Sequence, residues 1–422
     1  MSFFKNILLL LMCSYVFFVK ADTLTLEKCY EQALLHYPLI AQKELVKNNL
    51  TLKTANLNTN YYPQINTIVQ ASYQSDVTSI PQLLPMIPPF SIDKDQYKAY
   101  LELSQIIWDG GATQALKDFE KAHYDSEIEN IDAELYKIKE KINLFYFSIL
   151  LAHKQEQLTN TLIQNIKEKL RSVEVGIKNG VLPETNADII RAELFKVEQQ
   201  WLEIAYQKEA SVKMLQELTH IEISPNMVFI PPVDTDNEQN ITISRPELDV
   251  FDFQIMKIDI SKKITDSKTR PKIMLFGQAG YGKPALNMLS NSFDDYFMAG
   301  ARFTWSISAI YNKKRDYHIA DIQKDIIKSQ KETFEKNIRI ASYKELSDIN
   351  KLNALLEKDD AIIALREKIT KEASVRLDKG VITATEYISE LNAEQQARIT
   401  KELHIIQLMM SRVSYKYTMG KL

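Results

Sequence analysis

A chain of 422 residues with a net charge of −3 and only 10 Gly and 13 Pro favours long regular elements over a turn-rich fold. That charge offers no basic surface for nucleic acid. With a mean hydropathy of −0.24, no run approaches the roughly 18 apolar residues of a spanning helix. The one strongly apolar stretch comes first. Lys5, the run Ile7–Val19 and the small Ala21 read as a secretory signal at 1–21, removed after Ala21. Its loss takes away Lys5, Lys20 and Cys13 and moves the net charge to −5. Cys29 is then left without a cysteine to pair with inside the chain.

Residues 22–60 read as helix. "YPQINTIVQASYQS" (62–75) alternates, with Ile65, Thr67, Val69, Ala71 and Tyr73 on one face. "QYKAYLELSQII" (96–107) does the same with Tyr97, Ala99, Leu101 and Leu103. A period of two is the strand pattern. From 112 to 175 there is neither Gly nor Pro, which permits a helix on the order of 100 Å long. Within it Tyr124, Ile128, Ile131, Leu135, Ile138, Ile142, Phe145 and Ile149 step by four and three, a coiled-coil seam. "GVLPE" breaks this helix at Gly180, and a returning helix runs to about 222. After the link 223–244 the series recurs. A helix covers 246–268, and strands follow at 270–282 (Ile273, Leu275, Ala279, Tyr281) and 296–308 (Phe297, Ala299, Ala301, Phe303, Trp305, Ile307). A second uninterrupted helix reaches Gly380, and the last helix has a seam of Ile399, Leu403, Ile406, Met410, Val413 and Tyr417.

The halves are related by about 200 residues. "GIKNGVLPETNADIIRAEL" (176–194) and "RLDKGVITATEYISELNAE" (376–394) are echoes, and Leu103/Phe303 and Ile107/Ile307 keep the same offset. The chain therefore reads as a signal (1–21), a first repeat (22–222), a link (223–244) and a second repeat (245–422), a tandem duplication. The fold class is mainly α with a β-barrel part: long coiled-coil hairpins plus four strands per chain. The strand pattern alone fits a membrane barrel and a half-buried soluble sheet equally. If it is a barrel, four strands cannot close it and copies must pool theirs. Two copies give 8 strands with a filled interior, and three give 12 with a lumen. The left-handed conformation that ends a helix is expected at Gly180 and Gly380.

The order and spacing of these pieces resemble the outer membrane efflux proteins, the TolC-like channel-tunnels of Gram-negative bacteria. The resemblance is carried by "LTLEKCYEQALLHYPLIAQ" (24–42), "SQIIWDGGA" (104–112), "RPELDVFDFQI" (245–255) and the two Gly-Val-Leu/Ile bends. The second half departs from it, since "SISAIYNK" (306–313) lacks the Asp-Gly-Gly of the first. The resemblance implies a homotrimer with a 12-stranded barrel in the outer membrane and a helical tunnel in the periplasm. It implies an exit duct of a tripartite efflux pump, or alternatively of a type I protein secretion system. A periplasmic adaptor would dock at the tips Gly180, Val181, Leu182, Gly380, Val381 and Ile382, and an RND, ABC or MFS transporter in the inner membrane would supply the energy. Glu386 falls at the family's first acidic aperture position, Glu390 lies one residue past the second, and Asn186 with Asp188 holds the equivalent place in the first half. All four also read as solvated polar residues on a helix, where a carboxylate near an N-terminus is favourable. The apolar tip residues also read as packing around a cap.

No enzyme chemistry, metal or cofactor is expected. "GQAGYG" (277–282) lies in a strand pattern and opens no helix, so it is not a phosphate loop; its glycines let backbones approach. The six His show no metal-ligand spacing.

Overall fold

A computed structural model describes residues 23–80, 90–232 and 242–422. The expected signal at 1–21 and the middle of the 223–244 link lie outside the described residues. The elements are β1 (Thr23–Leu24), α1 (Leu26–His36), α2 (Ala41–Asn58), β2 (Gln64–Tyr73), β3 (Ser79–Ile80), β4 (Phe90–Ser91) and β5 (Asp95–Trp108). There follow α3 (Ala112–Lys178), α4 (Thr185–Thr219), β6 (Val228–Phe229), α5 (Pro246–Lys268), β7 (Lys272–Lys283), β8 (Asp294–Thr304), α6 (Ile310–Asp378) and α7 (Ala384–Met419). The single helix expected over 22–60 is instead two. Pro38 cannot donate a backbone hydrogen bond, and it drives Tyr37 to an extended ψ of 129°, which ends α1.

The chain divides into two compact units. One holds Ala41–Ile131 and Glu247–Thr333; the other holds the chain up to Ile40, Asp132–Pro246 and Phe334–Leu422. Two of the unit boundaries fall inside α3 and α6, so the units cut across the sequence repeats.

The first unit contains one four-stranded antiparallel sheet in the order β2-β5-β7-β8. The pairing β5–β7 joins the two halves of the duplication, while β2 and β8 are edges. Register brings the four expected apolar faces together. Ile65 sits opposite Leu103, Val69 opposite Ala99, Ala99 opposite Tyr281, Leu101 opposite Ala279, and Ala279 opposite Phe297. This apolar face is the more exposed one: Ile65, Val69, Tyr73, Leu101 and Phe303 are all open, and Phe297 is 82% exposed. The opposite face, with Tyr100, Glu102, Phe276 and Gln278, is half-buried. A water-soluble sheet has the reverse arrangement. The register slips between Ile106 and Trp108, a bulge where β5 turns into the helix.

At that turn the sequence Asp109-Gly110-Gly111 is used fully. The Asp109 carboxylate accepts from the Gly111 N–H at 2.9 Å, the Thr113 N–H at 2.6 Å and the Tyr61 hydroxyl at 2.9 Å. Gly110 has φ +72°, and a Cβ there would meet the Arg270 Cβ at 2.8 Å. The second half lacks this motif and turns differently. β8 stops at Thr304, four residues short of the expected end, because Trp305 donates to the Thr269 carbonyl at 3.0 Å and Ile307–Ala309 form a 3₁₀ turn.

In the second unit, β1 pairs in parallel with β6. The Tyr146 hydroxyl lies 2.8 Å from the Leu24 carbonyl and 2.7 Å from that of Ile230. The α3 seam is realised toward its C-terminal side: Leu135, Ile138, Ile142 and Ile149 are buried, with Tyr146 and Phe147 beside them. The chain end is fixed by Gly420 at φ +81°, where a Cβ would strike the Ser244 carbonyl at 2.2 Å. Among the described residues, no helix is long and apolar enough to cross a membrane.

Candidate functional site

The two glycine turns are built alike. Gly180 has φ +74° and Gly380 φ +69°. The Val181 N–H bonds to the Gly176 carbonyl and the Gly180 N–H to that of Ile177, both at 2.9 Å. Val381 to Arg376 and Gly380 to Leu377 repeat the pattern at the same distance. This pair of bonds is the Schellman ending, which needs a residue at positive φ and so selects glycine.

The turns lie against one another within one unit. A Cβ on Gly380 would meet the Val181 carbonyl at 3.5 Å and Leu182 Cδ2 at 3.9 Å. Beneath them all four helices share one apolar cluster: Leu162, Ile166 and Val173 of α3, Ile190 and Leu194 of α4, Ala373 and Leu377 of α6, and Tyr387, Ile388 and Leu391 of α7. The four apolar tip residues therefore divide. Leu182 is only 7% exposed and Ile382 packs on the same cluster, whereas Val181 and Val381 remain 55% and 62% exposed. Gly176 makes room for Leu182, whose Cδ1 would stand 3.0 Å from a Cβ at that position.

The polar candidates also divide. Glu386 closes a capping box: its N–H bonds to Thr383 Oγ1 at 3.3 Å, and its carboxylate accepts from the Thr383 N–H at 2.8 Å and from its hydroxyl at 3.0 Å. These donors hold the exposed Glu386 carboxyl below its ordinary value. Proline stands at 183 where the second half has Thr383, so α4 has no such box. Asn186, the counterpart of Glu386, is buried and caps the other hairpin, its Oδ1 accepting from the Ala384 N–H at 3.1 Å. Asp188 is exposed and pairs with Arg191 at 3.0 Å, while Arg191 also reaches Glu174 at 2.8 Å. Glu390 pairs with Arg366 at 3.0 Å, and its carbonyl accepts from the Thr370 hydroxyl at 3.2 Å.

Thr383→Ala should cost about 1 kcal/mol of local stability. Protease cleavage around the Gly380 turn should then quicken about fivefold at neutral pH. The Glu386 carboxyl is depressed in the fold, so its contribution is present at neutral pH and lost as pH falls through that lowered value. The difference between variant and parent should therefore shrink in acid, and a pH-independent difference would contradict the capping assignment.

Sequence reasoning missed Lys169. Its side chain is 7% exposed, and its ammonium reaches Asp378 at 2.8 Å, Ser374 Oγ at 2.7 Å and the Ser374 carbonyl at 2.9 Å. It also lies 5.1 Å from the Tyr387 ring centre. Burial, then the Asp378 carboxylate, pushes the Tyr387 hydroxyl up to about 12, so it stays protonated. The missed signal was a lysine on the stripe Leu162, Ile166, Val173, where the repeat calls for an aliphatic. Among the described residues, no group of three or more His, Cys, Asp or Glu could hold a metal ion.

Residues 29–219 match the sequence profile of the outer membrane efflux proteins. That similarity spans just under half of the chain. The family's members are channels rather than enzymes, and their place is the outer membrane. Solved structures repeat the fold over nearly the whole chain. The Campylobacter jejuni CmeC outer membrane channel superposes with a TM-score of 0.65 at 16% identity, covering 94% of this chain and 85% of that one. The outer membrane protein VceC of Vibrio cholerae gives 0.67 at 12% identity, covering 94% and 96%. The open state of the Neisseria gonorrhoeae MtrE outer membrane channel gives 0.64 at 14%, covering 94% and 89%. No curated protein matches the sequence. Identities this low carry the shared fold, of the TolC-like kind, and nothing about cargo.

Proposed function

We propose that this chain is an outer membrane efflux protein, the passive exit duct of a tripartite efflux pump for small molecules. In this reading three copies pool their strands into a 12-stranded barrel in the outer membrane, and their helices form a tunnel into the periplasm. The observation that carries it is the four-stranded sheet whose apolar face is exposed throughout and whose edges, β2 and β8, have no partner strand among the described residues. In lipid each unpaired backbone group costs several kcal/mol, so β2 of one copy must take β8 of the next until the ring closes. Apolar residues then face lipid and the half-buried polar face lines the lumen.

The paired tips are the docking surface for a periplasmic adaptor, with Gly180 and Gly380 setting the turns. Val181 and Val381 provide the exposed contacts, while Leu182 and Ile382 support them from the core. The aperture is assigned to Glu386, Glu390 and Asp188, since carboxylates gathered from three copies repel one another and favour cations. In the conformation described, Glu386 and Glu390 are held by local partners, so this role requires those contacts to exchange. Asn186, as a cap between the hairpins, ties the two turns together. Energy comes from an inner-membrane transporter of RND, ABC or MFS type.

Fractionation tests the reading: the protein should be recovered in the outer membrane as a heat-modifiable trimer. Deleting its gene should raise sensitivity to dyes and detergents at least several-fold. A water-soluble monomer would overturn the channel. Unchanged sensitivity together with loss of a secreted protein would transfer the duct to type I secretion.

A further inference from the structure

The half-buried face of the sheet carries a group of side chains that pore formation alone does not require. Tyr100 of β5, Gly280 of β7 and Tyr296 of β8 lie side by side in register. A Cβ on Gly280 would come within 2.4 Å of the Tyr100 Cβ, so only glycine leaves Tyr100 its place there. With no side chain between them, the two tyrosine rings approach to 6.5 Å at an interplanar angle of 50°. The next rank on the same face is Glu102, Gln278 and Met298. Glu102 accepts from the neutral Gln278 amide at 2.6 Å, a bond that leaves its charge uncompensated. On the other side stand Lys98, Gly282 and Asp294, one charge of each sign.

A second aromatic on this face provides a comparison. Phe276 covers Gly300, its Cζ lying 3.0 Å from where a Cβ would be, and the Arg302 guanidinium sits 5.1 Å from the ring centre. That ring already holds a cation. Among the described residues, none lies over the tyrosine pair, although a carboxylate stands one rank away. Two adjacent π faces beside an acid attract a flat cation by stacking and charge together.

We propose that Tyr100, Tyr296 and Glu102 form a binding platform for planar aromatic cations. The inference rests on the reading of this face as the lumen, where three copies would place three such platforms around the path. A cargo of this class would then be held briefly in the barrel before release.

The test uses the full chain, purified in detergent, and ethidium as the probe, followed by fluorescence anisotropy. Saturable binding is expected, at concentrations at least tenfold below those of the non-aromatic cation tetraethylammonium in competition. Y100L/Y296L should weaken ethidium about tenfold and E102Q about threefold to fivefold, while Y100F/Y296F should bind as the parent does. E102Q leaves both rings in place, so it decides the matter if the double leucine variant fails to assemble. Equal binding by the parent and E102Q, or equal competition by tetraethylammonium, would overturn the platform. Conductance of the same preparation in planar bilayers is a separate readout: its absence counts against the channel, while ethidium binding still judges the site.

Discussion

Replacing Gly280 with valine should abolish the trimer proposed above. A Cβ at this position would stand 2.4 Å from the Tyr100 Cβ, 2.6 Å from the Ala99 carbonyl oxygen and 2.8 Å from the Tyr100 Cα. Two of these are backbone atoms and the third is fixed to the backbone, so no rotamer change relieves the clash and the strands must separate. β5–β7 is the seam between the halves of the duplication. Opening it in lipid exposes several backbone groups, each costing several kcal/mol. The expected result is loss of the heat-modifiable band and clearance of the chain from the outer membrane. Gly277→Ala on the same strand is the control. Its Cβ would meet only the Met298 carbonyl, at 4.0 Å, and the trimer should persist. Equal behaviour of the two variants would refute the close approach of β5 and β7.

Asp378→Asn should loosen the helix tips. The carboxylate belongs to the last turn of α6, where a negative charge opposes the helix dipole, and the Lys169 ammonium offsets it. Removing its charge leaves a nearly buried lysine with neutral partners alone, the amide oxygen at 378, the Ser374 oxygens and the Tyr387 ring. Breaking a fully buried pair costs about 3–5 kcal/mol, but Asp378 is 43% exposed, so about 1–3 kcal/mol is expected here. In the duct proposed above this should appear in cells as greater sensitivity to a large antibiotic that the outer membrane excludes, and in bilayers as longer or larger openings. Lys169→Met removes the buried charge along with the contact, so its effect should be smaller. The double variant should resemble Lys169→Met alone, the signature of a coupled pair. If Asp378→Asn leaves openings unchanged, the contact does not restrain the tips.

Much of this was legible in the sequence because it rests on period and local chemistry. The alternation at 62–75 and 96–107 located β2 and β5, and register then placed their apolar residues on one face. Gly180 and Gly380 announced two helix ends because positive φ is a backbone demand that few residues meet. What was hidden depends on contacts across the chain. The stop at Pro38 falls inside the segment 22–60, which reads as one helix. The early end of β8 is set by Trp305 bonding to Thr269, 36 residues away. Lys169 finds its partner 209 residues on, and Asn186 caps a helix that begins 198 residues later. No spacing rule connects such positions.

The exchange at Asn186 has a consequence for any ring of these chains. The two bends share one backbone path, yet one presents an acid closed on its own threonine and the other lends its amide sideways behind a proline. A threefold assembly would therefore show an approaching partner six ends of similar outline in two alternating chemistries. A visitor that grips by shape meets sixfold order there, and one that grips by charge meets only threefold.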